Sequence, residues 1–243
     1  MATEPERLEE LGESQQELDD LPIHDNGEPL VDFLEVCPQL VFAPVHPVFE
    51  FPRVHVVRES VARMLCEAAR WLAIENPRFK LQLVEGYRPV NVQRAMNRHM
   101  VAQFRSEHPA WSEAQAQERA NRFSAPPDAL CPPPHITGGA IDLEIIDQSG
   151  DRLDFSSPFN IKGSRQSAPD AKGLTPEAQA NRALLRRVLE PTGLTNYVAE
   201  WWHWSYGDSG WALRAGAPFA LYDRIELPPD VDWIGDMSLL PPD

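Results

Sequence analysis

His135-Ile-Thr-Gly-Gly-Ala-Ile-Asp-Leu-Glu-Ile-Ile146 is the stretch of this chain that does most to determine its fold. From residue 140 onward, branched apolar residues take every second position. Because successive side chains of a strand point to opposite faces, this alternation predicts a β-strand over residues 140–146. The side chains expected to face the core are Ile141, Leu143 and Ile145. Asp142 then points to the opposite face.

Apolar spacing elsewhere predicts helices and strands in mixed order. The i, i+3, i+4, i+7 pattern from Val61 predicts a helix that ends at Asn76-Pro77. Thr175-Pro-Glu177 predicts the start of a helix that runs to about Leu189. Further helices are predicted at 90–106 and 112–123, and strands at 79–83, 197–206, 211–214 and 218–224. No regular β-α-β alternation is present, so the predicted fold class is α+β, a mainly antiparallel sheet flanked by helices.

Acidic residues are concentrated at the start of the chain. Residues 1–36 hold twelve acids and one base, a net charge of −11, whereas the other 207 residues hold 25 acids and 21 bases. High charge with few aromatic residues predicts a flexible acidic lead over residues 1–36, followed by one domain over residues 37–243. No basic stripe is visible, so we expect no nucleic-acid partner.

The sequence shows no signal for export or membrane insertion. The first residues lack a basic region followed by an apolar one, and no apolar run approaches the roughly 20 residues that span a bilayer. Three cysteines, Cys37, Cys66 and Cys131, form no disulfide framework, which fits a reducing compartment. We therefore expect a cytoplasmic protein without a membrane partner. The sequence leaves the oligomeric state open.

Two short stretches contain the residue types of a catalytic zinc site, namely His135 to Asp142 and Glu200-Trp-Trp-His203. Such a site has three protein ligands, an open position for water and a nearby carboxylate that can act as base. The glycine pair 138–139 permits a turn through which His135 and Asp142 can converge. In a regular strand, Glu200 and His203 would face opposite sides. Their segment must therefore be bulged or twisted, or the metal must lie near its end.

Other polar residues are weaker candidates. Arg88 follows a predicted strand and either caps the sheet or supplies a permanent cation for an oxyanion or a substrate carboxylate. Cys131 could ligate zinc in principle, but the three prolines after it make that geometry awkward. His46 and His55 have no carboxylate in close register and are predicted to be structural.

Three segments, in this order along the chain, resemble motifs of the zinc D-Ala-D-Ala dipeptidases, the VanX-like branch of the D,D-peptidase/hedgehog fold group. Gly86-Tyr-Arg-Pro89 matches the family's Gly-Tyr-Arg-Pro. Pro133 to Asp142 matches Ser-x-His-x-x-Gly-x-Ala-x-Asp except at its first position, and Glu200-Trp-Trp-His203 matches Glu-x-Trp-His. The resemblance covers roughly residues 60–215. It implies a D,D-peptidase/hedgehog-like fold.

The resemblance also implies a role for each site residue. One zinc ion per chain would bind His135, Asp142 and His203, with Glu200 as catalytic base and Arg88 near the scissile carbonyl. The chain departs from the family motifs at two places, both of which concern substrate recognition and neither of which concerns a metal ligand. Proline 133 replaces the family's serine, and the family's early motif with Tyr and Asn is not evident before residue 61.

The expected function is zinc-dependent hydrolysis of a small peptide, of D-Ala-D-Ala type, in peptidoglycan metabolism. Within the same class, the alternative is a D,D- or L,D-carboxypeptidase that acts on peptidoglycan stem peptides. Two histidines and a carboxylate also form the facial triad of non-haem iron oxygenases. A catalytically silent metal-binding module is the remaining alternative.

Overall fold

The main sheet of the protein has five strands. The structure, a computed structural model, describes residues 12–47, 50–121, 124–156 and 167–240. The strands in spatial order are β2 (Val41–Phe42), β4 (Lys80–Glu85), β5 (Ala140–Ile146), β7 (His203–Ser205) and β6 (Thr195–Asn196). β2 runs parallel to β4, and every other neighbouring pair is antiparallel. A separate antiparallel pair is formed by β1 (Leu30–Asp32) and β3 (Val56–Arg58).

Helices flank the sheets. Those of the described residues are α1 (Gln15–Asp20), α2 (Phe33–Val36), α3 (Glu59–Glu75), α4 (Val90–Glu107), α5 (Glu113–Asn121), α6 (Pro176–Leu189) and α7 (Ser209–Ala215). α3 contacts β4, α6 contacts β5, and the two helices contact each other. The prediction of an α+β fold with a mainly antiparallel sheet is confirmed. Within the described ranges, no helix combines the length and apolar character needed to cross a membrane.

The hydrophobic core lies between the main sheet and the helices α3 and α6. The apolar side chains of β5 are fully buried in it, as expected from their alternation; they are Ile141, Leu143 and Ile145. The predicted apolar stripe of α3 meets them, and its residues with 0 % exposure include Val61, Leu65, Ala68 and Leu72. Because one face of β5 is filled in this way, its polar residues lie on the opposite face of the sheet.

Most predicted elements are present with small shifts at their ends. The helix predicted from Val61 begins two residues earlier, and the backbone N–H of Asn76 closes its last turn on the Leu72 carbonyl at 2.8 Å. Thr175 caps α6 as predicted, since its side chain accepts from the Ala178 N–H. Residues 122–123, the end of the helix predicted at 112–123, lie outside the described residues.

The predictions for the last third of the chain are partly wrong. The strand predicted at 197–206 is interrupted, because residues 197–202 form a turn between β6 and β7. The strand predicted at 211–214 is the helix α7. Asp208 caps this helix by accepting from the Trp211 N–H at 2.7 Å, and Gly216 ends it at φ 66°. Residues 218–224 form no strand; Ala220 makes an isolated bridge to Ile23.

The acidic segment, which the sequence predicts to be a flexible lead, is described from residue 12. β1 pairs with β3, and Phe33 is fully buried in the core. The buried guanidinium of Arg58 donates to the Glu28 carbonyl and, at 3.1 Å, to Asp25. The described part of the segment is therefore packed against the body, because its few apolar residues find partners there. The division of the chain at residue 36 stays a prediction.

Candidate metal centre

His135 is held in a short 3-10 turn, Pro134–Thr137, that leads into β5. The Pro133 carbonyl accepts from the Ile136 N–H at 3.0 Å, and Gly138 ends the turn at φ 74°, a conformation that favours glycine. The Nδ1 atom of His135 lies 2.8 Å from the Gly86 carbonyl oxygen. A carbonyl can only accept, so Nδ1 carries the proton and Nε2 is left as an electron-pair donor.

Asp142 lies in the centre of the sheet, between two other site residues. In the β-ladders it is paired with Glu85 on β4 and with His203 on β7. Directly opposed side chains of neighbouring strands lie on the same face and within contact distance. A row of three polar side chains therefore crosses the sheet on the face opposite the core.

Glu200 and His203 reach one site because the chain between them turns. The backbone N–H of Glu200 bonds to the Tyr197 carbonyl at 3.3 Å, and that of His203 bonds to the Glu200 carbonyl at 3.3 Å. The side chain of Asn196 donates to the Glu200 carbonyl at 2.9 Å and to the His203 carbonyl at 2.8 Å. Glu200 thus lies in a turn and not in a strand, so the rule that residues three apart face opposite sides does not apply.

Three potential metal donors converge on one point. Asp142 Oδ1 lies 3.0 Å from His203 Nδ1 and 3.6 Å from His135 Nε2. One donor atom of each residue lies within 4.8 Å of the others, and Asp142 and His135 are buried. Donors bonded at about 2.0–2.2 Å around a tetrahedral ion lie roughly 3.3–3.6 Å apart, so the 3.6 Å separation matches a zinc site and the 3.0 Å separation is slightly shorter. Two imidazoles and one carboxylate are also a donor set of catalytic zinc sites.

The electrostatics of the cluster favour a charged Asp142. Burial opposes its ionisation, but the charges of His135 and His203 and their hydrogen bonds outweigh this and hold the pKa of the carboxyl below its ordinary value. Metal ligands must be deprotonated, and this carboxylate is therefore ready to bind a cation.

The pKa of Glu200 is shifted in the opposite direction from that of Asp142. Burial, with a smaller contribution from the negative charge of Asp142, raises its pKa to about 7, although His203 and Arg88 act against the shift. A carboxyl group with a pKa near neutral pH can accept a proton and return it within one catalytic cycle. Among the described residues, the hydrogen bond that joins Glu200 to the donor set is the backbone one, in which its carbonyl accepts from the His203 N–H at 3.3 Å.

Arg88 is fixed beside the donors. Its Nε donates to Glu85 Oε1 at 2.7 Å, one terminal nitrogen donates to Glu85 Oε2, and the other donates to Gln93 Oε1 at 2.7 Å. The backbone N–H of Arg88 bonds to the His135 carbonyl at 3.0 Å. Its charge acts on both Asp142 and Glu200. The five residues singled out in the sequence are therefore brought together in one cluster.

Comparison with known proteins identifies a family for this chain. The family model of the peptidase M15 group, described as D-Ala-D-Ala dipeptidase, matches residues 51–222, a range that contains all five residues. The chain belongs to this family. The resemblance seen in the three sequence motifs is thereby confirmed.

Individual relatives of this dipeptidase family differ in how much of the chain they match. A D-alanyl-D-alanine dipeptidase of Synechocystis is 27 % identical over 235 residues, which is 85 % of this chain and 95 % of the relative. A D-alanyl-D-alanine dipeptidase of Escherichia coli is 36 % identical over 69 residues, or 28 % of this chain and 35 % of the relative. The solved structure of the LD-carboxypeptidase LdcB has a TM-score of 0.45 and 20 % identity over 80 % of this chain and 77 % of that chain.

Two residues next to the candidate site were not expected there from the sequence. Glu85 bonds to Arg88, and His46, predicted to be structural, places its Nε2 atom 4.0 Å from Glu85 Oε2. The spacing Glu85-x-x-Arg88 could have indicated an ion pair, whereas nothing near His46 in the sequence points to the site. Cys131 is not part of the donor cluster. Its backbone N–H bonds to Asp19 at 3.0 Å, which places it beside α1.

Proposed function

We propose that the protein is a zinc-dependent peptidase that hydrolyses a small peptide of D-Ala-D-Ala type. The observation that carries the proposal is the convergence of His135, Asp142 and His203 next to a carboxyl group whose pKa burial raises to about 7, that of Glu200. The family match over residues 51–222 and the names of the dipeptidase relatives support the choice of substrate.

The donor set supports zinc as the resident metal. His135 would bind through Nε2 and His203 through Nδ1, since these are the atoms that face Asp142. Zinc, when bound, supplies Lewis acidity that polarises a carbonyl group and makes water more acidic. The hydrogen bond from His135 Nδ1 to the Gly86 carbonyl fixes the ring and its tautomer, as is common for histidines that bind metals.

The residues of the chain have separate roles in this hydrolysis. Glu200 takes a proton from the attacking water and delivers it to the leaving amine, because its raised pKa suits both transfers. Arg88 stabilises the negative charge that develops on the carbonyl oxygen of the scissile bond. Its guanidinium is already oriented by Glu85 and Gln93, so little reorganisation is needed during the reaction.

The first test compares Glu200→Gln with the wild type on D-Ala-D-Ala, with zinc measured in both proteins. Loss of a general base is expected to lower kcat by about 10²–10⁴-fold, with zinc retained because Glu200 is not a ligand. Glu190→Gln is the matched control, since Glu190 is an exposed carboxylate that pairs with Arg186. A Glu200→Gln protein that is as active as Glu190→Gln would show that Glu200 is not the base.

The second test separates the substrate classes. We expect a higher kcat/KM on D-Ala-D-Ala than on L-Ala-L-Ala or on a pentapeptide that ends in D-Ala-D-Ala. A preference for the pentapeptide would identify a carboxypeptidase instead. Retained iron with turnover of 2-oxoglutarate would identify an oxygenase, and bound zinc without hydrolysis of any peptide would identify a silent metal-binding module.

A further inference from the structure

The direction in which Glu85 points is not the one that its strand predicts. Leu81 and Leu83 of β4 face the core, so a regular strand would turn Glu85 to the core as well. Instead the register shifts: Leu83 is paired with Leu143, but Glu85, two residues further along β4, is paired with Asp142, which is only one residue from Leu143.

The shift corresponds to one extra residue on β4, as in a β-bulge. The side chains of Leu83 and Val84 both lie in the core and both have 0 % exposure. Glu85 is thereby turned to the other face of the sheet, beside Asp142.

The bulge is held by a buried arginine. The guanidinium of Arg53 donates to the Val84 carbonyl and, at 2.7 Å, to the Ala43 carbonyl at the end of β2. Arg53 is 6 % exposed, and its guanidinium carbon lies 4.6 Å from the centre of the Phe42 ring. The bulge frees a buried carbonyl from the regular ladder, and a buried carbonyl needs a donor. Arg53 supplies it.

Once turned, Glu85 binds Arg88 with both of its oxygens. The two N–H···O contacts, one from Nε and one from a terminal nitrogen, form a fork that fixes the plane of the guanidinium. Gln93 accepts from the third nitrogen at 2.7 Å. Of the five N–H groups of Arg88, three therefore meet partners among the described residues. The other two, one on each terminal nitrogen, are oriented by the same contacts.

Glu85 is charged despite its burial. Burial alone would favour the neutral acid, but the charge of Arg88 and its hydrogen bonds, with smaller contributions from His135 and His46, hold the pKa of Glu85 at about 2. The imidazole of His46 lies 4.0 Å from one oxygen and is itself buried. The carboxylate therefore stays available to Arg88 across the neutral pH range.

We propose that Glu85 is a positioning residue, presented to the site by the β4 bulge that Arg53 holds, and that it fixes Arg88 in the orientation needed to stabilise the oxyanion. The link to the oxyanion rests on the proposed function, whereas the link between Glu85 and Arg88 does not. The specific consequence is that Glu85 affects the reaction only through Arg88.

The first experiment measures zinc content and kinetics on D-Ala-D-Ala for Glu85→Gln and Glu85→Asp. The amide of glutamine offers one acceptor and a donor group, so one N–H of Arg88 would face another N–H. We expect kcat to fall by about 10–100-fold, as for residues that orient a site from outside it, with KM and zinc content unchanged. Aspartate keeps both acceptor oxygens and is expected to restore part of kcat.

Glu144→Gln is the matched control. Glu144 is a buried carboxylate of β5, on the same face of the sheet as Asp142. It pairs with Gln82 at 3.0 Å and with Arg152 at 3.5 Å, and not with Arg88. We expect its kcat to stay within about twofold of the wild type, as for a change away from the site. Equal losses in Glu85→Gln and Glu144→Gln would overturn the proposal, because any buried carboxylate would then have the same effect.

A double-mutant cycle with Arg88→Ala tests whether Glu85 affects kcat only through Arg88. If Glu85 acts only through Arg88, the protein with both Glu85→Gln and Arg88→Ala is no slower than Arg88→Ala alone. If the two losses in kcat multiply, Glu85 acts independently of Arg88 and the proposal is wrong.

The last experiment needs no catalytic activity. Solvent exchange of the Arg88 Nε–H is measured by nitrogen-15 NMR, and the signal is assigned by its absence in Arg88→Lys. We expect slow exchange in the wild type and in Glu144→Gln, and exchange at least about tenfold faster in Glu85→Gln, since the bonded acceptor is lost. Unchanged exchange in Glu85→Gln would overturn the positioning role even if the peptide is hydrolysed. Faster exchange without hydrolysis of any peptide would support the positioning role and contradict the proposed function.

Discussion

Strand β5 is regular and pairs with β7 in unbroken register, whereas the segments that bring Glu85 and Glu200 towards Asp142 are irregular. On one side, an extra residue in β4 turns Glu85 onto the site face. On the other side, residues 197–202 form a turn that places Glu200 close to His203, which β7 holds opposite Asp142 in regular register. The regular strand supplies a fixed carboxylate at the centre. The irregular neighbours supply the groups that a regular pleat could not place there.

This difference has a physical cause. A regular strand presents every second side chain to one face, so β5 offers Asp142 and Glu144 in the same direction. A metal centre needs donors within a few ångströms of one another and from different directions, which one strand cannot provide. Bulges and turns next to a site are a general means of redirecting a side chain.

The largest expected effect comes from Asp142→Ala, which removes the donor on the regular strand. We expect bound zinc to be lost and activity to fall to background, because loss of a ligand costs more than the about 10–100-fold in affinity seen for residues behind the ligands. Glu144→Ala is the control on the same face of the same strand, and it should keep both zinc and activity. Metal analysis and a dipeptide assay check the pair. Zinc retained in Asp142→Ala would remove this residue from the ligand set.

The contrast between β5 and its neighbours also explains how much of the site could be predicted. Asp142 was placed correctly because alternation over seven residues fixes both a strand and the face of each side chain. The only local sign of the bulge is that Val84 is apolar where the alternation calls for a polar residue, and its placement depends on Arg53, thirty-one residues away. Contacts between residues so far apart in sequence are outside the reach of local pattern.

The wrong prediction of a strand at 211–214 has a more local cause. Trp-Ala-Leu-Arg is too short to show the period of a helix, and Asp208 can cap a helix only if the residues after it are already helical. In the acidic segment, too, contacts form that local pattern does not show. Its composition favours disorder, but Phe33 and the pairing of β1 with β3 supply contacts that composition does not reveal. In both places the observed structure depends on packing contacts of the folded chain, which the local sequence does not show.

A substitution on the core face of β5 should lower stability without changing zinc content, unlike a substitution at Asp142 on the site face. Ile145 is fully buried and is paired with Leu81 across the sheet. Ile145→Ala is expected to lower the free energy of unfolding by about 2–5 kcal/mol, through lost burial and the cavity left behind, with zinc content unchanged. Ile74→Ala is the matched control, since Ile74 is 81 % exposed, and should cost less than about 0.5 kcal/mol. Denaturant unfolding measures both variants. Loss of zinc in folded Ile145→Ala would contradict the separation of the two faces.

Glu200, in the turn formed by residues 197–202, should make the stability of the metal-free protein depend on pH. Its pKa is raised from 4.5 to about 7, chiefly by burial, so the folded state holds this proton more tightly than the unfolded state. Stability from this group is present below pH 4.5 and is lost as the pH rises from about 4.5 to about 7. Glu200→Gln should therefore become more stable relative to the wild type across that window. A stability difference between the two proteins that is constant from pH 4.5 to 8 would contradict the raised pKa.

The smallest expected effect tests the helix that follows β7. Asp208→Ala removes the side-chain acceptor for the Trp211 N–H, a cap bond of 2.7 Å at the start of α7. Loss of such a cap is expected to cost about 0.5–2 kcal/mol in the free energy of unfolding. Asp208→Asn keeps an acceptor of the same length, and aspartate and asparagine cap helices about equally well. Asp208→Asn should therefore be clearly more stable than Asp208→Ala by denaturant unfolding. Equal destabilisation of the two variants would show that the cap bond does not account for the helix at 209–215. Packing of its apolar residues would then be the reason that this segment is a helix and not a strand.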